Sequence, residues 1–311
     1  MSIASPPLPV SRTSILALVR DYAELTKARV TSLVVLTAWC GYYFGCLKAG
    51  TSSLSLDLVH ALLGIGMVAG GTAALNEVLE HDIDGNMRRT ARRPLPTGRM
   101  SLMHASIVGF GLTVGGAVYL GIALNALTGW LSLLTAAVYL AAYTPLKRIH
   151  PVCTFVGAFP GAMPGVLGWT AARGHLDWGA VAMFAIVFVW QFPHFFSIAW
   201  LYRDDYAAGG IRMLPVVEPD GRSTALRILL YSIALVPVSM MPSWTGMAGS
   251  IYLVGAPLLS LSMLGVSLRL VRLDAVPSSP QSKARARQLL QASVIYLPLL
   301  FVLMMLNPIS S

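Results

Sequence analysis

The chain has 311 residues, 56% hydrophobic and 11% charged, with a mean hydropathy of +0.68 and a formal charge of +9. That composition excludes a soluble domain of this size and indicates a polytopic membrane protein. The positive balance does not imply a nucleic-acid partner, because the basic residues fall between apolar runs; membrane topology and anionic lipid account for most of them.

The first 28 residues carry Pro6, Pro7, Pro9 and several charges but no cleavable apolar core, so no secretory signal is apparent. Residues 1–28 are expected to form a cytoplasmic tail with a short amphipathic helix from about Thr13 to Lys27. Apolar runs then recur near 30–48, 57–78, 102–122, 125–144, 152–172, 178–200, 226–243, 247–268 and 288–306. The predicted fold is all-α, a bundle of nine transmembrane helices over 29–307. With the N-terminus cytoplasmic and the C-terminus outside, only Lys48 and Arg173 of the 22 lysines and arginines fall on the outer side. The outer connections are short, so the polar segments and the active face are expected on the cytoplasmic side. Cys40, Cys46 and Cys153 have no metal-ligand spacing and read as small buried residues.

Chemistry concentrates where the second run ends. Asn76, Glu80 and Asp84 recur every fourth residue, so on a continuing helix they share one face. A stripe of carboxylates and an amide suits Mg²⁺, which binds through few carboxylates together with phosphate oxygens. Arg88, Arg89, Arg92, Arg93 and Arg99 come next, and guanidinium forks match phosphate. Acids at a membrane edge are read as functional, and the combination indicates a diphosphate site. Tyr143 and Lys147, again four apart, close the fourth run, with Arg148 directly after them. They suit a diphosphate oxygen or a developing cation, or else form an interface pair.

The sixth run holds His194, which suits a haem or quinone contact or a satisfied core position. It ends at Asp204 and Asp205, candidate ligands for a second metal ion or loop partners of Arg203 and Arg212. This ending weakly echoes that of the second run. The stretch Gly157 to Trp169 carries Pro160, Pro164 and several glycines, a pattern of close helix packing or of a cavity lining for a flat or long substrate.

Together the motif Asn76-x3-Glu80-x3-Asp84, the arginine run through Pro94 and Arg99, Glu24 to Arg29, Tyr143 to Arg148, and Pro193-His194 with Asp205-Tyr206 and Met213-Leu214-Pro215 resemble the intramembrane UbiA-type prenyltransferases. Pro193-His194-Phe195 points to the branch that acts on haem. The resemblance implies helices around a central cavity and Mg²⁺-dependent ionisation of farnesyl diphosphate, with transfer to haem B. It also implies diphosphate contacts from Arg88, Arg92, Arg93, Lys147, Arg148, Lys27 and Arg29. Asn76, Glu80, Asp84, Asp204 and Asp205 become the metal set, Asn76, Glu80, Asp84, Tyr143 and Lys147 the catalytic set, and His194 a haem contact. The implied setting is a bacterial inner membrane, with a downstream haem A synthase or terminal oxidase assembly. Glu80 stands where wider members carry Asp, and the regular aspartates of their second motif are missing.

Two other readings compete. A quinone-pathway prenyltransferase differs only in acceptor, whereas a transporter would put its charges near the bilayer midplane. CDP-alcohol phosphotransferases need Asp-Gly-x2-Ala-Arg, which Asp84-Gly85-Asn86-Met87-Arg88-Arg89 does not supply.

Overall fold

A computed structural model describes residues 15–273 and 276–309. The described chain is helical. α1 (Ile15–Leu25), α2 (Ala28–Ala49), α3 (Leu56–Asp84), α4 (Leu102–Ala123) and α5 (Ala126–Ala137) come first, and a π-helical turn, Val138–Tyr143, carries α5 into α6 (Thr144–Leu146). Next come α7 (Cys153–Arg173), α8 (Trp178–Leu201), the short α9 (Arg203–Ala208) and α10 (Leu214–Val217), α11 (Arg222–Ser239), α12 (Met241–Trp244), α13 (Ser250–Val271) and α14 (Pro280–Leu306). The start expected for the first helix, Thr13, lies outside the described residues.

Local sequence explains where the helices begin. Ser55, Ser101, Asn125, Asp177 and Ser279 each precede a long helix, and their side-chain oxygens accept hydrogen bonds from backbone N–H groups of the first turn. Among the described residues, eight helical segments are long and apolar enough to cross a membrane: α2, α3, α4, α5 with α6, α8, α11 with α12, α13 and α14. This is an integral membrane protein. At the fifth predicted span, α7 is 21 residues long, but Gly157, Gly161, Gly165, Gly168, Pro160 and Pro164 dilute its apolarity and keep it out of that set.

Nevertheless α7 lies at the centre of the packing. Trp169, Ala158 and Ala162 are fully buried, and the helix packs against α2 and α8. Lipid offers no hydrophobic force between helices, so close van der Waals contact through small residues holds them together. A Cβ at Gly168 would overlap the Ala38 carbonyl oxygen, and one at Gly41 would overlap that of Gly165. In the second half, buried hydroxyls link helices: Ser232 pairs with Ser267 at 2.9 Å, and Ser260 meets both Ser239 and Tyr296 at 3.0 and 2.8 Å.

Gly168→Val is expected to force α2 and α7 apart at a cost of roughly 1–3 kcal/mol. It lowers the melting temperature of the detergent-solubilised protein, whereas Gly111→Ala, whose Cβ meets open space, leaves it in place.

Candidate active site

α3 carries the polar stripe at its C-terminal end. Asn76, Glu80 and Asp84 are exposed by only 1, 5 and 1%, and acids that dry need charged partners. Each finds one from a different segment. Lys147 Nζ donates to Glu80 Oε1 at 2.7 Å, Arg93 donates to Asp84 Oδ2 at 2.6 Å, and Lys27 Nζ donates to Asn76 Oδ1 at 2.7 Å.

Backbone irregularities position these cations. Lys27, between α1 and α2, has φ of 48°, the sole non-glycine residue at positive φ among those described. That conformation costs about 1–3 kcal/mol and persists only where surroundings impose it. Burial pushes the Lys27 ammonium down to about 7, with Arg93 and Lys147 adding repulsion. The π-helical turn before α6 inserts an extra residue, which rotates the next helical residues by about 100°. Thr144 and Lys147 thereby face α3, and Asn76 Nδ2 donates to Thr144 Oγ1 at 3.1 Å. Lys147 also lies 4.6 Å from the centre of the Tyr143 ring. Burial works against the Lys147 charge, but Tyr143, Tyr139 and Glu80 outweigh it and push its pKa well above the ordinary lysine range. Thr90 Oγ1 donates to the Asp84 carbonyl at 2.8 Å, fixing the loop that carries Arg93.

This cluster closes one end of a cavity of about 810 Å³, within the usual range for small-molecule sites. Lys27, Asn76, Glu80, Asp84, Arg89, Arg93, Tyr139, Tyr143 and Lys147 line it, and the remaining wall is mostly apolar side chains of α2, α7, α8 and α14. Val30, Leu33 and Leu36 of α2 and Val294 and Val302 of α14 line the cavity and are also exposed, so it opens on that side. Gly157, Pro160, Gly161 and Pro164 form part of the α7 wall.

The other predicted site residues are elsewhere. Arg29, Arg88 and Arg92 are exposed and do not line the cavity. Arg148 grips the exposed Asp82 through two hydrogen bonds of 2.9 and 2.7 Å. Asp204 is exposed and pairs with Lys283 at 3.3 Å, and Asp205 beside it is half-buried; neither lines the cavity. His194 does line it, with Nδ1 2.8 Å from Ser293 Oγ.

Two residues at this end of the bundle escape a four-residue register. Arg89 lies over the Tyr202 and Tyr206 rings at 5.8 and 5.7 Å from their centres. Glu77 is fully buried, and both its oxygens lack a hydrogen-bond partner. A signal for Glu77 is present in the sequence, since positions 77, 80 and 84 follow the i, i+3, i+7 pattern of one helix face.

Among the described residues, no three His, Cys, Asp or Glu side chains converge as a metal cage. The donor set nevertheless fits Mg²⁺, which needs only one or two protein carboxylates when a diphosphate supplies further oxygens. Glu80 and Asp84 each engage one oxygen in an ion pair, and the orphaned Glu77 carboxylate lies beside them in sequence.

The family model described as "UbiA prenyltransferase family" matches residues 33–306. A protoheme IX farnesyltransferase of Koribacter versatilis (strain Ellin345) is 60% identical over 99% of both chains. Another, of Solibacter usitatus (strain Ellin6076), is 48% identical over 93% of this chain and 98% of its own. Among solved structures, a digeranylgeranylglyceryl phosphate synthase shares the fold with a TM-score of 0.75 at 15% identity, over 93% of this chain and 98% of the other. A UbiA homologue from Archaeoglobus fulgidus, bound to GPP and Mg²⁺, gives 0.55 at 17% identity, over 92% and 99%. From these matches and from the cavity with its acidic stripe, the chain belongs to the UbiA prenyltransferase family.

Proposed function

We propose that this protein transfers a farnesyl group from farnesyl diphosphate to a vinyl group of haem B, giving haem O. The observation that carries the donor half is the buried cluster of Glu80–Lys147 and Asp84–Arg93 ion pairs at the end of an apolar cavity. The acceptor half is supported by the names of the relatives that match nearly the whole chain.

The cations meet the diphosphate. Lys27, Arg89, Arg93 and Lys147 line one end of the cavity, so an entering diphosphate draws Arg93 and Lys147 from Asp84 and Glu80, and Lys27 from the Asn76 amide, to its own oxygens. Asn76, Glu80 and Asp84 are then the residues that would hold Mg²⁺, and the buried Glu77 carboxylate adds negative charge near Arg93. Mg²⁺, when bound, supplies Lewis-acid neutralisation of the leaving group. As the C1–O bond breaks, the electron pair stays on diphosphate beside Arg93 and Lys147, at the end of a mostly apolar cavity, where fixed charges are strong. Tyr139 and Tyr143, which line this end of the cavity, shield the allylic cation with their aromatic rings. The terminal vinyl carbon then bonds to C1, and water adds to the resulting benzylic-type cation with loss of a proton, leaving a hydroxyethylfarnesyl arm.

In this reading α7 is a ninth span, the N-terminus is cytoplasmic and the C-terminus outside, and residues 29–307 form the enzymatic domain after a tail of 1–28. The ion-pair cluster faces the cytoplasm of a bacterial inner membrane, where a haem A synthase or a terminal oxidase consumes the product. We place the metal on α3 alone and leave Asp204 and Asp205 to the surface.

Membranes containing the protein, supplied with haem B, farnesyl diphosphate and Mg²⁺, are expected to yield a farnesylated haem by mass. Removal of Mg²⁺ by a chelator, or Glu80→Gln, abolishes it; prenylation of hydroxybenzoate in place of haem would overturn the acceptor. Arg93→Ala is expected to lower kcat/KM for farnesyl diphosphate by roughly 10²–10³-fold, while Arg148→Ala, which loses an exposed pair, changes it only a few-fold. Equal losses in steady-state assays would contradict this division of the arginines.

A further inference from the structure

His194 lies inside α8, well along the chain from the ion-pair cluster, and the donor chemistry gives it no task. Its surroundings fix its chemical state. Ser293 Oγ donates its single proton to the Leu290 carbonyl at 2.7 Å. It also lies 2.8 Å from His194 Nδ1, and with its proton given to the carbonyl it accepts there from Nδ1–H. In the neutral ring Nε2 then keeps a lone pair, and among the described residues no hydrogen bond engages it.

The ring is also held in place. Trp190 stacks on the imidazole with centres 4.9 Å apart and planes 22° from parallel. Trp190 Nε1 in turn donates to the Ser293 carbonyl at 2.9 Å, so Ser293 braces both rings. Trp190 and His194 line the cavity together with Leu297, Pro298 and Phe301 of α14. A neutral imidazole whose Nδ1–H is held by an accepting neighbour, on a ring that lines a largely apolar cavity, matches the usual state of a histidine that ligates a transition metal. The aromatic and aliphatic wall around it suits a flat, apolar macrocycle.

We propose that His194 Nε2 binds the iron of the acceptor porphyrin as an axial ligand, with Ser293 and Trp190 as the residues that position it. The proposal rests on the haem reading given above, since an organic ring without a metal gives Nε2 nothing to coordinate. Axial ligation sets the porphyrin plane across the Nε2–iron bond and leaves its edge free to turn toward the α3 end of the cavity. It also separates the two substrates along the cavity: diphosphate on α3, iron between α8 and α14.

The test uses the full-length purified protein in detergent, titrated with haem B, reduced and exposed to nitric oxide. The electron paramagnetic resonance spectrum of the nitrosyl adduct shows splitting from a second nitrogen when imidazole occupies the opposite axial position. The wild type is expected to show that splitting. His194→Gly is expected to lose it, and free imidazole to restore it. Ser293→Ala keeps the ligand but weakens haem binding by about tenfold, as loss of an outer hydrogen bond does at metal sites. Binding of a non-hydrolysable farnesyl diphosphate analogue, unchanged in both variants, shows that they are folded. Haem bound by His194→Gly with the splitting intact would overturn the ligand assignment and leave the haem reading standing. Absence of haem binding to the folded wild type would overturn both.

Discussion

Buried carboxylates at the edge of a bilayer are costly unless they are paired, and the pairing of Glu80 and Asp84 organises this end of the first half of the molecule. Glu80 and Asp84 are buried in α3, and each unpaired charge there would cost several kcal/mol. Lys147 must come from the end of α6 and Arg93 from the loop after α3, while Lys27 reaches Asn76 from the turn before α2. The backbone distortions serve those meetings: a π-helical turn for Lys147 and a left-handed residue for Lys27. The same pairing serves function, because cations held beside carboxylates can be surrendered to a ligand that brings more negative charge and a metal.

A second constraint shapes the frame around the cluster. Helices in lipid gain little from hydrophobic association, so α2 and α7 approach through Gly41, Gly165 and Gly168 until backbone meets backbone. That proximity leaves α7 with small residues on its faces, and Gly157 and Gly161 make room for Tyr143 and Gln191. The small residues of α7 form one wall of the cavity, which α2, α3, α8 and α14 complete. Its wall is mostly apolar, with charged residues gathered at the α3 end, as the proposed prenyl, porphyrin and diphosphate groups require.

The helices were legible in the sequence because apolar runs of bilayer length have few other meanings. Their polar ends were not. α14 begins at Pro280, well before the apolar run near 288–306, because its first turns carry Lys283, Arg285 and Arg287 and give no hydropathy signal. The α3 stripe was legible from spacing alone, yet its partners were not: Glu80 and Lys147 are 67 positions apart, and the π-helical turn that points Lys147 inward leaves no compositional trace. Among the arginines, nothing in the sequence separates Arg89 and Arg93 from Arg88 and Arg92. The folded loop does, burying Met87 and Thr90 and turning alternate guanidinium groups toward the cavity or the solvent. The echo between the ends of the second and sixth runs is uneven in three dimensions, with Asp84 buried beside Arg93 and Asp204 exposed beside Lys283.

The catalytic cycle proposed here turns on one exchange of partners, in which Arg93 and Lys147 leave Asp84 and Glu80 for diphosphate as metal arrives. The most direct measurement is a structure with Mn²⁺ in place of Mg²⁺ and a non-hydrolysable farnesyl diphosphate analogue, the metal located by its anomalous scattering. The expected result is metal on Glu80 and Asp84, with Arg93 and Lys147 turned to the phosphate oxygens. Metal on Asp204 and Asp205, or diphosphate bound while both ion pairs stay intact, would contradict it.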